Sequence, residues 1–102
     1  VFIDPRKIVD YVLSTDHARG RHKARVFSGV LGLGPKDAGA LITAIRVAAE
    51  STPAVATDKD EFGQRYLLDF TMNHAGRSAM VRTCWIVLVG EDFARLTSCY
   101  VL

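Results

Sequence analysis

Apolar residues recur at intervals of three and four through the first half of the chain and at intervals of two through the second. The change of period falls near Pro53 and divides the sequence into a helical half and a strand half. Asp4-Pro5 reads as an N-cap followed by proline at the first helical position, where its missing N–H does no harm. Ile8, Val9, Val12 and Leu13 form an apolar stripe, and this helix is expected to end near Ser14. Thr15 to Gly20 reads as a loop. A second helix is expected from about Arg21 to Leu31, with Phe27, Val30 and Leu31 inward, stopping at Gly32-Leu33-Gly34. Pro35 opens a third, whose apolar positions are Ala38, Leu41, Ile42, Ile45, Ala48 and Ala49.

Beyond Pro53 the segments Tyr66–Met72, Ala79–Val89 and Arg95–Leu102 are rich in β-branched and aromatic residues and read as strands. Asn73-His74-Ala75-Gly76 and Gly90-Glu91-Asp92 are the expected hairpin turns. A short extra strand around Ala54–Ala56 can precede them, and the acidic segment Asp58–Glu61 is expected to be solvated. The fold class expected is α+β, with three N-terminal helices packed on a C-terminal antiparallel sheet of three or four strands.

Folding each hairpin about its turn estimates the register. Tyr66, Leu68 and Phe70 then share a face with Val81, Thr83, Trp85, Val87, Cys99 and Val101, which is the expected helix-covered core. The other face carries Leu67, Asp69, Thr71, Arg82, Cys84, Ile86, Leu96, Ser98 and Tyr100. A slip of one residue exchanges the two lists. In this register Cys84 and Cys99 point to opposite faces, so both are expected to be free thiols.

The chain has 102 residues, half of them hydrophobic and a quarter charged, which fits one domain, residues 1–102, and excludes disorder. No apolar run approaches the ~18 residues of a membrane span, so no membrane partner is expected. The chain starts with Val1 rather than Met, and is expected to be a piece of something longer. Without a CxxC pair, and with His17, His22 and His74 scattered, neither a metal site nor a cofactor is expected.

Charge is uneven. The net value is +2, yet up to residue 30 there are six Lys and Arg against three Asp. Arg19, Arg21, Lys23 and Arg25, with His17 and His22, fall in a stretch without any acid. A field concentrated there favours a polyanion, phosphate above all; the plainer account is a solvated helix end. Arg21, His22 and Lys23 open the second helix, where cations oppose the dipole but an anion docked on free N–H groups would reverse the balance. His17 and His22 are the groups in this region able to serve as acid or base near neutrality. Metal-independent RNA cleavage needs such a base for the 2′-hydroxyl, an acid for the leaving oxygen, and cations for the charge on phosphorus. Serine-hydrolase chemistry fits poorly, because Ser98 lies in a strand pattern without a G-x-S-x-G elbow. A P-loop is missing as well.

Four segments carry a resemblance to a known family. They are Ile3-Asp4-Pro5-Arg6-Lys7; Asp16-His17-x-x-Gly20-Arg21-x-Lys23-Ala24-Arg25-x-Phe27; Phe62-Gly63-Gln64-Arg65-Tyr66; and Trp85-Ile86-Val87 with Gly90-Glu91-Asp92 and Arg95-Leu96-Thr97-Ser98-Cys99-Tyr100. Together they resemble a small bacterial domain family over nearly the whole chain. Its layout is similar to the barnase–EndoU–colicin–RelE class of ribonuclease toxins, which are commonly C-terminal modules of larger secreted proteins with a dedicated immunity partner. The resemblance points to His17, Lys23, Ser98 and Tyr100 as catalytic residues; the register adds Arg82 and the charge pattern adds His22. Arg19, Arg21, Arg25 and Arg95 are the expected substrate-binding cations. Ser98 stands where threonine is expected, which keeps the hydroxyl; Ala18 and Ala94 stand where prolines are expected.

The function these features imply is a metal-independent ribonuclease toxin. Its partners would be RNA, tRNA among the candidates, and an immunity protein or antitoxin, and it would act after delivery into a target cell's cytoplasm. The rivals are a non-catalytic immunity-type interaction domain and an RNA-binding module without chemistry.

Overall fold

A computed structural model describes residues 1–16 and 18–102. The first helical segment begins as foreseen. Asp4 caps it by accepting from the Arg6 N–H at 3.0 Å, and Pro5 follows. It then departs from expectation: after one α-turn, Pro5–Lys7 (α1), the chain widens into a π-helical turn, Ile8–Val12, closed by Leu13 N–H to the Ile8 carbonyl at 2.9 Å. The wider turn slips the helical phase, so Ile8, Val12 and Leu13 are buried while Val9 turns outward.

α2, Arg21–Leu31, buries Ala24, Phe27 and Leu31 but leaves Val30 exposed. Gly32 ends it in the left-handed conformation (φ 69°), and its N–H and that of Leu33 return to the Ser28 and Phe27 carbonyls. A 3-10 turn, Pro35–Asp37, leads into α3, Ala38–Ser51, which turns Ala38, Leu41, Ile45 and Ala48 into the core as its period predicts.

The second half is a four-stranded meander in the order β1 (Val55–Lys59), β2 (Gly63–His74), β3 (Arg77–Leu88) and β4 (Arg95–Val101). α2 lies on β3 and β4 and α3 on β2.

The expected three-helix arrangement therefore needs correction. Among the described residues only two of the helices, α2 and α3, are α-helical beyond a single turn, because the first gives way to the π-turn. The sheet has four strands, β1 running further than the short segment foreseen. Nor is every pairing antiparallel, since Phe2 bridges Arg95 in parallel, with Phe2 N–H on the Ala94 carbonyl at 2.8 Å and Leu96 N–H on the Phe2 carbonyl at 3.0 Å. What holds is the order: a helical half, then an antiparallel sheet.

The register pairs Tyr66 with Trp85, Leu68 with Thr83 and Phe70 with Val81, as the folded hairpin predicts. Thr83 is fully buried but satisfied: its hydroxyl donates to the Leu68 carbonyl at 2.7 Å and accepts from the Trp85 indole N–H at 2.8 Å. One assignment fails. The register shifts between Cys84, paired with Ser98, and Trp85, paired with Leu96, leaving Thr97 as a bulge. Leu96 therefore enters the core instead of the open face.

The Phe62-Gly63 corner joins β1 to β2. Asp60 Oδ1 accepts from the N–H groups of Phe62 (2.9 Å) and Gly63 (3.2 Å), and Asp60 Oδ2 meets Arg65 Nε at 3.3 Å. Gly63 is buried so close to β3 that a Cβ would stand 2.1 Å from the Val87 carbonyl oxygen. That spacing is why this motif needs glycine.

Candidate functional site

The strand register builds the open face in rows. One row runs Tyr100 on β4, Arg82 on β3 and Asp69 on β2. Its neighbour runs Ser98, Cys84, Leu67 and then Val55 on β1. Arg82 grips Asp69 through two parallel hydrogen bonds of 2.9 Å, Nε to Oδ1 and Nη2 to Oδ2. This fork fixes the guanidinium plane. The side chains remain 32% and 34% exposed, so the pair sits at a wet surface. The Arg82 hydrogen bonds hold the Asp69 carboxyl below its ordinary value. Asp69 first, and the Tyr100 hydroxyl second, raise the guanidinium above its own.

Lys23 completes the cluster from the helical layer. Its Nζ lies 4.5 Å from the centroid of the Tyr100 ring, a cation–π contact made at β4, the last strand of the sheet. Burial pushes the Cys84 thiol up, while the nearby cations Lys23 and Arg82 pull it the other way. Ser98, half-buried opposite Cys84, makes no side-chain hydrogen bond among the described residues. The cluster thus offers two cations from separate elements, a phenol and an uncommitted serine hydroxyl. Such a set suits an oxyanion or a phosphodiester.

Of the residues expected at the site, Lys23, Arg82, Ser98 and Tyr100 come together on and beside β4. His22 is exposed on the first turn of α2, one position from Lys23. Arg21 and Arg25 are exposed on the same helix, without a side-chain hydrogen bond or ion pair among the described residues; Arg19 is exposed just before it. His17 lies outside the described residues.

Arg95 is elsewhere. It pairs with Ile86, four ladder positions from the Arg82 that faces Tyr100 and roughly 14 Å along the sheet. Its guanidinium is held by Glu91 at 2.8 and 2.7 Å and lies over the rings of Phe2 (5.3 Å) and Phe93 (4.9 Å).

Two residues escaped the sequence reading. The side-chain period puts Asp69 on the open face without a role, and opposite charges at directly paired positions 69 and 82 are the available signal. Lys7 donates to the Thr97 carbonyl at 3.3 Å, beside the bulge. No spacing in the sequence announces that contact, because it depends on where the π-turn sets α1 down.

A family profile matches residues 1–102 without a break. The chain belongs to the DUF6883 family. This family is described as a domain of unknown function, so membership fixes kinship and leaves the chemistry open. Among solved structures, the DUF6883 domain is similar to a chain of a contact-dependent growth inhibition toxin–immunity protein complex from Klebsiella pneumoniae 342. The TM-score is 0.72 over 100% of both chains, at 12% sequence identity. At that identity the likeness is one of fold. No curated protein matches the chain.

Proposed function

We propose that this DUF6883 domain is the toxin of a toxin–immunity pair and that it cleaves RNA without a metal ion. The observation that carries the reading is the convergence of Lys23 and Arg82 on Tyr100, beside the free hydroxyl of Ser98. In the reaction the 2′-hydroxyl attacks the adjacent phosphorus, the bond to the 5′-oxygen breaks, and a 2′,3′-cyclic phosphate remains. Lys23 and Arg82 stabilise the charge that gathers on the phosphoryl oxygens, and Ser98 positions one of them. His17 takes or gives a proton, with His22, beside Lys23, as the second group. Arg19, Arg21 and Arg25 extend the cationic surface along α2 toward the rest of the RNA, tRNA being one candidate.

The fold shared with a chain of a growth-inhibition toxin–immunity complex supports a role within such a pair. On this reading the domain is the C-terminal module of a larger exported protein. It acts in the cytoplasm of the cell it enters, and a cognate immunity protein covers the cationic face. No helix among the described residues is long and apolar enough to cross a membrane.

One observation favours a second reading. Arg82 is already neutralised by Asp69, as befits a binding surface more than a phosphate clamp. An immunity-type domain would use the same face to hold an acidic protein.

Inducible expression in bacteria separates the two. Wild type should arrest growth and fragment total RNA, and Lys23→Ala and His17→Ala should do neither while remaining folded. Soluble, folded wild type that leaves growth and RNA intact supports the immunity-type reading.

A further inference from the structure

The sheet edges are interrupted in two places and open in a third. Along β4 the Thr97 bulge breaks the line, Phe2 bridges Arg95, and Lys7 takes the Thr97 carbonyl. β1 slips register between Ala56 and Lys59 and carries the charges of Asp58 and Lys59. Bulges, charges and covering segments are the usual means of keeping a strand edge from pairing with another chain. β2 outruns β1: its last pairing there is Leu67 with Val55. From Asp69 to Asn73 it has no proline, no lysine and no bulge.

The ladder identifies the open atoms. His74 and Arg77 close a two-residue turn, Ala75-Gly76, with both turn residues left-handed (φ 50° and 77°), so they form a hydrogen-bonded pair. Alternation then turns the even-numbered residues of β2 toward β3 and the odd-numbered ones outward. Leu67 gives its outward groups to Val55, and those of Asp69, Thr71 and Asn73 have no backbone partner among the described residues. Thr71 and Asn73 are exposed and Asp69 is half-buried.

This stretch is complementary to itself. Set antiparallel to a copy about a two-fold axis at Thr71, it brings Asp69 opposite Asn73 and Thr71 opposite Thr71. All of these are outward residues, so the pairing forms about six backbone hydrogen bonds over the whole open edge. On the helix side Phe70 faces Met72, a sulfur–aromatic pair. No like charges meet, and Arg82 already neutralises the Asp69 carboxylate. An axis at Phe70 would instead bring Asn73 onto Leu67, which β1 occupies; one at Met72 would set the turn residue Ala75 opposite Asp69. A groove of about 460 Å³ between α3 and this edge, walled by Ala44, Val47 and Phe70, leaves room for an approaching strand. Val47 is 59% exposed there.

We propose that the Asp69–Asn73 edge joins a second copy of this chain, making one continuous antiparallel sheet. The inference does not depend on the ribonuclease reading. A two-fold axis within such a ladder stands perpendicular to the sheet, so the two open faces lie on the same side. The Lys23–Tyr100 clusters are then five strand spacings apart across the sheet and four residues apart along it, roughly 25–30 Å. So short an edge buries less than the ~1,200 Å² of a standard interface, which makes the dimer a transient one.

The test is sedimentation equilibrium of the intact domain from micromolar to near-millimolar concentration, with amide exchange followed by NMR. The mean mass should climb from one chain toward two, and the Thr71 and Asn73 amides should exchange more slowly as it does. Thr71→Lys and Thr71→Glu each set like charges across the axis, and each should stay monomeric with an unchanged circular dichroism spectrum. Mixed in equal amounts they should pair, since lysine then faces glutamate. A wild-type chain that remains monomeric throughout, protection centred on another strand, or variants that dimerise alone or fail to pair when mixed would overturn the proposal. So would a monomeric chain that takes up an extended peptide at Thr71, which would give the edge to a foreign strand.

Discussion

Nδ1 of His74 lies 2.8 Å from the carbonyl oxygen of Leu31, tying the tip of the β2–β3 hairpin to the last turn of α2. Arg77 Nη1 reaches the Gly29 carbonyl at 3.1 Å from the same tip. A helix end leaves its last carbonyls without intrahelical partners, and here a hairpin supplies two of them. The helix that carries Lys23 is thereby fixed at its far end by the sheet. His74→Ala should lower stability by about 1 kcal/mol, and the exposed Arg77→Ala by less, both read from urea denaturation midpoints. No change for either variant would mean that the tip does not hold the helix in solution.

Gly63→Ala should be among the more damaging single-atom changes in the chain. The new methyl would have to displace the Val87 backbone, 2.1 Å away, and the φ of 156° is one that L residues rarely adopt. A loss on the order of 1–3 kcal/mol is expected, seen as a lower melting temperature. An unchanged melting temperature would place the β1–β2 corner differently from the structure described above.

Both cysteines are free, with Cys84 half-buried and Cys99 buried. Burial pushes the Cys99 thiol up to about 12. Thiol titration at mildly alkaline pH should therefore find one slowly reacting group in the folded protein, Cys84, and two after denaturation. Two fast thiols in the native state would contradict the core assignment of Cys99.

Acid should destabilise the fold in a defined direction. Asp69 is held low by the Arg82 hydrogen bonds, Asp60 by the Phe62 backbone N–H above all, and Glu91 by Arg95. A carboxyl depressed in the folded state contributes in full above its unfolded value, about 4, and the contribution is lost as pH falls through the folded value. Stability should thus be flat near neutrality and decline below about pH 4. Asp69→Asn should make that decline shallower. The same slope in wild type and variant would show that the pair does not form in solution.

For the proposed nuclease, cleavage should weaken steeply as salt is raised, because counterions released from RNA drive the association. It should persist in a chelator, since Lys23 and Arg82 are the groups assigned to the phosphoryl charge. Activity abolished by EDTA and restored by magnesium would sink the mechanism.

Much of the sheet was legible because its turns are written in the sequence. Asn73-His74-Ala75-Gly76 pins the β2–β3 register, and the side-chain period of two then sorts the faces. α3 was legible for the same kind of reason, its apolar positions falling on one stripe. The failures share a cause, an added or slipped residue that sequence period does not register. The π-turn rotates Val9 outward, and the bulge at Thr97 turns Leu96 inward. β1 runs further than its sequence pattern indicates because all five of its residues are exposed and leave no alternation to read. The site was legible in part: the faces brought Arg82, Ser98 and Tyr100 together. Lys23 over Tyr100 is a product of how α2 lies on β3 and β4, which no local spacing encodes.

The bulge also fixes where this strand can tolerate a change of length. β4 carries one residue more than its pairing with β3 requires. A chain shortened by one at Thr97 or Ser98 would still set a hydroxyl residue opposite Cys84, Leu96 against Trp85 and Tyr100 beside Arg82. The same deletion at Leu96 or Cys99 would send a polar side chain into the core. Shortening at Thr97 would not be silent elsewhere, because its carbonyl receives the Lys7 ammonium at 3.3 Å and its hydroxyl donates to the Cys84 carbonyl at 3.1 Å. Single-residue length variation in β4 is therefore confined to one step of the strand, and residue 7 should vary with it.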